Sequence, residues 1–211
     1  DRHDALLIFD EVLTGFGRTG DMFAALTFGV TPDILCVGKG MGGGYGPLAA
    51  MLVSDRIAAA FWGDPGGNIQ FNHGHTFGGN PLSSAAGVAV VRELVEAGIP
   101  AGAKALGEYL AQRLNGLARF GVVGEVRGKG LLRGVELVRD PATKEPFPAS
   151  LEIGRAIGRR ALHKGLILRA DPNWFALAPP LITTREELDE MLAILESAIT
   201  EVLEQVRTAI G

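Results

Sequence analysis

Lys39 stands between Gly38 and Gly40 at the end of the apolar run Ile34-Leu35-Cys36-Val37, in a segment bounded by Pro32 and Gly38. Such a run reads as a buried strand, so the lysine sits just past its carboxyl end, where open α/β sheets bind ligands. An ammonium partly shielded from water loses its proton more readily and then attacks carbonyl carbon. A second apolar run, Ala5-Leu6-Leu7-Ile8-Phe9, ends in Asp10-Glu11-Val12. The intervening residues 21–29 have a helical pattern, and a strand, helix, strand unit sets its two strands parallel with their carboxyl ends on one side. Asp10 and Lys39 are therefore expected to face one pocket. An amine able to form a Schiff base, beside a carboxylate able to hold a protonated ring nitrogen, is the pair that pyridoxal 5'-phosphate uses. The plainer reading of Lys39 is the solvated tip of a glycine turn that leads into a strand over residues 48–53.

Longer stretches carry a family resemblance. Leu7-Ile8-Phe9-Asp10-Glu11-Val12-Leu13-Thr14-Gly15-Phe16-Gly17-Arg18-Thr19-Gly20, then Thr31-Pro32-Asp33-Ile34, Gly38-Lys39-Gly40 and Gly74-His75-Thr76-Phe77-Gly78-Gly79-Asn80-Pro81 resemble the class III (omega) aminotransferases in order and spacing. The resemblance covers essentially the whole chain and matches the carboxyl-terminal half of such an enzyme. It implies a fold type I α/β architecture: residues 1–107 as the second half of a cofactor-binding large domain with a mostly parallel sheet, and residues 108–211 as a smaller α+β domain. It further implies that Lys39 holds the cofactor, Asp10 pairs with its ring nitrogen, Val12 packs on the ring face, and Thr76 reaches the cofactor phosphate of the other subunit of a homodimer. Local loop capping is the plainer role for Thr76.

In many members an arginine stands where Ala176 stands here, which argues against an α-amino acid pocket of the usual kind. Arg169 instead resembles the mobile arginine of omega-transaminases, which pairs with a substrate carboxylate through its planar fork and moves aside for an amine. The plainer reading is a surface arginine at a strand end. The implied reaction passes an amino group from an amine or omega-amino acid donor to a 2-oxo acid acceptor in two half-reactions, with Lys39 also moving the proton.

Two rival readings remain. Gly15-Phe16-Gly17-Arg18-Thr19-Gly20 is a formal dinucleotide-binding fingerprint, with Asp33 downstream as its acidic partner. Against it, the glycines do not follow the strand directly, and Asp10-Glu11 would bring negative charge to a pyrophosphate. The other rival is an inactive fragment. The histidines of His73-Gly74-His75 have no cysteine or carboxylate cluster near them in sequence, so no metal is expected.

Composition narrows the classes. The 211 residues are 47% hydrophobic, enough for a large buried core. Twenty Lys and Arg against 24 Asp and Glu give a net charge of −4 without a basic tract, which argues against nucleic acid or an anionic membrane as partner. A single cysteine, Cys36, excludes an internal disulfide and fits a reducing cytoplasm. No apolar run approaches the ~18 residues of a membrane span. Because Asp1-Arg2-His3-Asp4 leads almost directly into a buried strand, the chain is expected to begin within a domain and to be inactive alone.

The remaining periodicity predicts helices over residues 55–62, 81–97, 100–117 and 151–164, and over residues 184–208 behind a Thr184/Glu187 capping box. A structural hairpin is predicted over residues 122–138, and a strand at 165–171.

Overall fold

The computed structural model describes residues 2–64 and 66–210, with side chains through residue 206. The chain divides into two compact units, Asp1–Ala101 and Gly102–Gly211.

In the first unit, strand β1 (Ile8–Glu11) pairs in parallel with β2 (Ile34–Val37), and β2 pairs antiparallel with β3 (Ala50–Val53). Parallel pairing requires the chain to cross back between β1 and β2. It does so through the Gly15–Gly20 loop and a short helix α1 (Ala24–Phe28). The helical pattern over residues 21–29 thus yields a single turn of helix. Phe23 is extended, and Gly29 at φ 64° ends the helix in the left-handed conformation that glycine adopts without strain. A 3-10 turn over Lys39–Gly42 connects β2 to β3. Helix α2 (Asp55–Ala59) follows β3, and α3 (Pro81–Glu96) begins at Asn80, whose side chain accepts from the Ser83 amide at 3.0 Å. Asn80 is therefore the N-cap and Pro81 the first helical residue, as the sequence predicts.

β1 and β2 have the apolar composition of buried strands, and much of that apolar surface is left uncovered among the described residues. Ile8 is 58% exposed, and Leu6, Leu7, Met51 and Leu52 are also open to solvent. Only Glu11 in β1 and Val37 in β2 are buried, because nothing within residues 2–101 covers the rest of this small sheet.

The second unit is an antiparallel sheet against helices. Its strand order is β4 (Val123–Lys129), β5 (Leu132–Asp140), β8 (Trp174–Leu177), β7 (Arg169–Asp171), with β6 (Glu145–Pro146) against β5. The helices are α4 (Ile99–Asn115), α5 (Ile153–His163) and α6 (Arg185–Ile210). Leu110 and Leu114 of α4, Ile153 and Ile157 of α5, Leu188, Leu192, Leu195 and Ile199 of α6, and Val135, Leu137 and Phe175 of the sheet form one buried cluster. The 3.6-residue stripe of α6 thus does what its sequence predicts, and so does its cap. Glu187 accepts from the Thr184 amide at 2.8 Å while the Thr184 hydroxyl accepts from the Glu187 amide at 3.2 Å. The strand expected over residues 165–171 is shorter, confined to Arg169–Asp171.

Candidate active site

The register of β1 and β2 builds the site. Asp10 lies beside Cys36 and Glu11 beside Val37, so Lys39 comes three positions beyond Asp10's level on the neighbouring strand. Lys39 lies in the 3-10 turn beyond the end of β2, so the two groups leave the sheet at different levels. No ion pair joins them among the described residues. A carboxylate and an amine so spaced address opposite ends of a bound group rather than each other.

Asp10 is exposed, and its Oδ1 accepts from the Val12 amide at 3.0 Å. One carboxylate oxygen is thus pinned by the backbone two residues on, which orients the other. Val12 continues β1 toward the lysine turn: a Cβ placed on Gly38 would lie 3.6 Å from Val12 Cγ1. Lys39 itself has φ 39°, a left-handed conformation uncommon for a residue with a side chain. It is exposed, which corrects the expectation of a partly buried amine. The glycines around it serve close packing rather than shielding. A Cβ on Gly40 would stand 3.0 Å from Phe16 Cβ, and one on Gly87 of α3 would stand 2.4 Å from Leu48 Cδ2. The crossover loop thus presses on the lysine turn, and α3 presses on the segment that follows it.

A cavity of 570 Å³ is lined by Lys39, Gly44, Gly46, Leu48, His75 and Phe77, with Pro47, Ala49, Gly78, Gly79 and Asn80. Thr76 is exposed between two of these lining residues, His75 and Phe77. Asp10, Val12, Lys39 and Thr76 therefore belong to one unit. Arg169 belongs to the other, at the start of β7, where its guanidinium lies over the Trp174 ring at 5.5 Å and 3.8 Å from Asp171.

The donor set fits a pyridine ring held between an acid and an amine, and it does not fit a dinucleotide. The amides of Gly15, Gly17 and Gly20 donate to Glu11, Met22 and Gly17 carbonyls. The first amides of α1, those of Ala24 and Ala25, donate to the Glu11 carboxylate at 2.6 and 2.7 Å. A pyrophosphate would find them already taken. Asp33, the acid of that rival motif, accepts from the Leu7 amide at 2.9 Å and from Arg56 at 3.3 Å, and the Leu7 bond, with Arg56 after it, holds its carboxyl below the ordinary range. The loop keeps the positive φ that tight turns need, 95° at Gly17 and 102° at Gly20. Burial pushes the Arg18 guanidinium below its ordinary pKa.

Glu11 is 1% exposed and turned into the crossover, so its carboxylate stands at the first amides of α1, where its charge would oppose a pyrophosphate. Strand alternation carried the signal, since neighbours on a strand face opposite sides. Among the described residues no group of three or more His, Cys, Asp or Glu is placed to hold a metal, and no helix is long and apolar enough to cross a membrane.

The family model of class-III aminotransferases matches residues 1–199. Over 205 residues the chain is 44% identical to the adenosylmethionine-8-amino-7-oxononanoate aminotransferase of Geobacter sulfurreducens, covering 94% of this chain and 44% of that protein. It is 40% identical to the diaminobutyrate–2-oxoglutarate transaminase of Halomonas elongata, covering 95% and 44%. Among solved structures, an amine transaminase from an uncultivated Pseudomonas species in its PLP-bound form superposes with a TM-score of 0.90 at 41% identity, covering 96% of this chain and 46% of that one. The chain thus spans less than half the length of these relatives.

Proposed function

Since the chain belongs to the class-III aminotransferase family, we propose that it carries the lysine side of a pyridoxal-phosphate-dependent aminotransferase site in the protein that contains it. The observation that carries this reading is the parallel register that sets Asp10 and Lys39 at the ends of adjacent strands with Val12 against Gly38. When bound, pyridoxal phosphate supplies an electrophilic carbon and an electron-accepting ring.

The chain's own residues divide the work. Lys39 Nζ would hold the cofactor and, when not engaged with it, would serve as the base that moves the proton of the donor's amine-bearing carbon. The Asp10 carboxylate, oriented by the Val12 amide, would accept a charge-assisted hydrogen bond from the ring nitrogen. Val12 would lie against the ring, and Thr76 would bind the phosphate held by the other subunit. A homodimer is further supported by the outward apolar residues of α3, Leu82, Val88 and Val95, which this chain leaves exposed.

The donor is an amine or omega-amino acid and the acceptor a 2-oxo acid, in keeping with the amine transaminase and 2-oxoglutarate transaminase among the similar proteins. Arg169 receives the substrate carboxylate: its distant pair with Asp171 is loose enough to exchange. Residues 1–107 belong to the cofactor-binding large domain and 108–211 to the small domain. The half-buried Cys36 suits a cytoplasmic enzyme.

Borohydride reduction of the cofactor-loaded protein, followed by peptide mapping, is expected to find the pyridoxyl group on Lys39. A label on Lys104, Lys129, Lys144 or Lys164 would overturn the assignment.

A further inference from the structure

We propose that Glu11 is the positioning residue of this site, one buried carboxylate that holds both the Asp10 end of β1 and the turn that carries Lys39; the inference rests on the reading given under Proposed function. Glu11 Oε2 accepts from the Ala24 amide at 2.6 Å and from the Thr14 hydroxyl at 3.1 Å, and Oε1 accepts from the Ala25 amide at 2.7 Å. These three donors are neutral. A buried carboxylate needs hydrogen-bond donors, and the amides of a helix start are donors that need an acceptor. The arrangement is therefore mutual, and it joins the end of β1 to a point 13 residues later.

Two chains of contact lead from Glu11 to the chemistry. On one side, the Asp10–Val12 bond spans Glu11, so the backbone angles of Glu11 set the direction of the Asp10 carboxylate. On the other side, the Glu11 carbonyl accepts from the Gly15 amide at 3.0 Å, and a Cβ on Gly15 would stand 2.9 Å from that carbonyl. The turn so closed delivers Phe16, which is buried with φ 55° and meets Phe23 edge to face at 5.3 Å. Phe23 precedes Ala24, the residue whose amide Glu11 holds. Phe16 in turn abuts Gly40, next to Lys39. Capping alone is a poor explanation for a carboxylate buried this deeply. α1 is a single turn, and its Leu26 and Phe28 are exposed, so the helix has little packing to protect.

The test is Glu11→Gln in the cofactor-loaded protein and in its cofactor-free form. The amide side chain turns a donor toward one of the two backbone N–H groups, which loses one bond and opposes two donors. In the cofactor-free protein, hydrogen exchange is expected to quicken about tenfold or more at Ala24, Ala25 and Gly15, and with them at residues 10–12 and 38–41. In the loaded protein, kcat is expected to fall about tenfold with KM within about twofold, and the pH midpoint of the bound cofactor's absorbance change to shift away from the parent's as Asp10 loosens its hold on the ring nitrogen.

Thr14→Val is the milder companion. It removes one hydrogen bond, keeps the side-chain shape, and is expected to move kcat and the pH midpoint in the same directions by a smaller factor. Faster exchange confined to Ala24 and Ala25, with kcat and the pH midpoint unchanged, would overturn the proposal. So would a Glu11→Gln variant that does not fold together with a Thr14→Val variant indistinguishable from the parent. A parent protein that takes no label on Lys39 would instead sink the aminotransferase reading, while the exchange coupling among residues 10–12, 24–25 and 38–41 would still report on Glu11.

Discussion

Residues 102–211 bury one continuous cluster that runs from Ala103 to Leu203, whereas in the first unit Phe16, Ala24, Val37 and Leu94 are the buried apolar residues among those described. The two units are held by different physics. In the second, close-packed Leu, Ile and Phe side chains join three helices to a sheet, and removal of apolar area from water dominates. In the first, much of the local geometry rests on polar tethers: Glu11 on the start of α1, Asp33 on the Leu7 amide, Asn80 on the start of α3. The candidate chemistry sits in the unit with less core of its own. Polar tethers specify direction more sharply than apolar packing does, because they are made or lost within a few tenths of an ångström.

The largest expected effect tests where the stability lies. Phe175→Ala in the 211-residue chain should lower the unfolding free energy by about 3–5 kcal/mol, since that side chain is fully buried. Ile8→Ala, at a strand position 58% exposed, should cost about 1 kcal/mol or less. Urea denaturation followed by far-ultraviolet circular dichroism reads both, and equal costs would erase the contrast between the units.

The next test separates activity from stability. Asp10→Asn keeps the shape and removes the charge-assisted bond, so turnover should fall by about 10- to 100-fold while the denaturation midpoint stays put. Thr184→Ala should do the reverse, at a cost of about 1 kcal/mol in stability with turnover unchanged. The same cap titrates. The Thr184 amide, with the Thr183 hydroxyl after it, holds Glu187 below the ordinary carboxylate range. A depressed folded-state pKa stabilises above the unfolded value, and that stability is lost as pH falls through the folded one. Thermal melts between neutral pH and the acid range should therefore show a loss in the parent that is smaller in Glu187→Gln, whose side chain does not titrate.

The smallest effect concerns the one proposed site residue in the well-packed unit. Arg169→Ala should raise KM for carboxylate-bearing substrates by about two- to fivefold and leave plain amines unaffected, because an exposed guanidinium contributes little. Equal changes for both substrates would remove Arg169 from the site and make the division of labour between the units complete.

Much of the architecture was legible in the sequence for local reasons. The Asn80-Pro81 start of α3, the Thr184/Glu187 box, the stripe of α6 and the antiparallel return of β3 each depend on residues a few positions apart, where side-chain spacing and backbone sterics act without the rest of the chain. The parallel pairing of β1 and β2 was legible too, since a strand, helix, strand order leaves one handed solution. Where residues a few positions apart do not decide, the partner lies farther away. The burial of β1 and β2 depends on what covers them, and composition does not say whether anything does.

The site divides in the same way. Sequence by itself determined that a lysine among glycines follows one strand and an acid ends its neighbour, which is sufficient to suggest the cofactor. Tertiary structure decided what each group faces. It left Lys39 exposed at φ 39°, pinned Asp10 by the Val12 amide, and used the amides of the dinucleotide-like loop and of α1 on Met22, Gly17 and Glu11. It also turned Glu11 inward onto donors 13 and 14 residues away. A motif names the donors it contains, but which acceptor takes them is settled only when the crossover folds back, because a buried carboxylate goes where unpartnered amides converge.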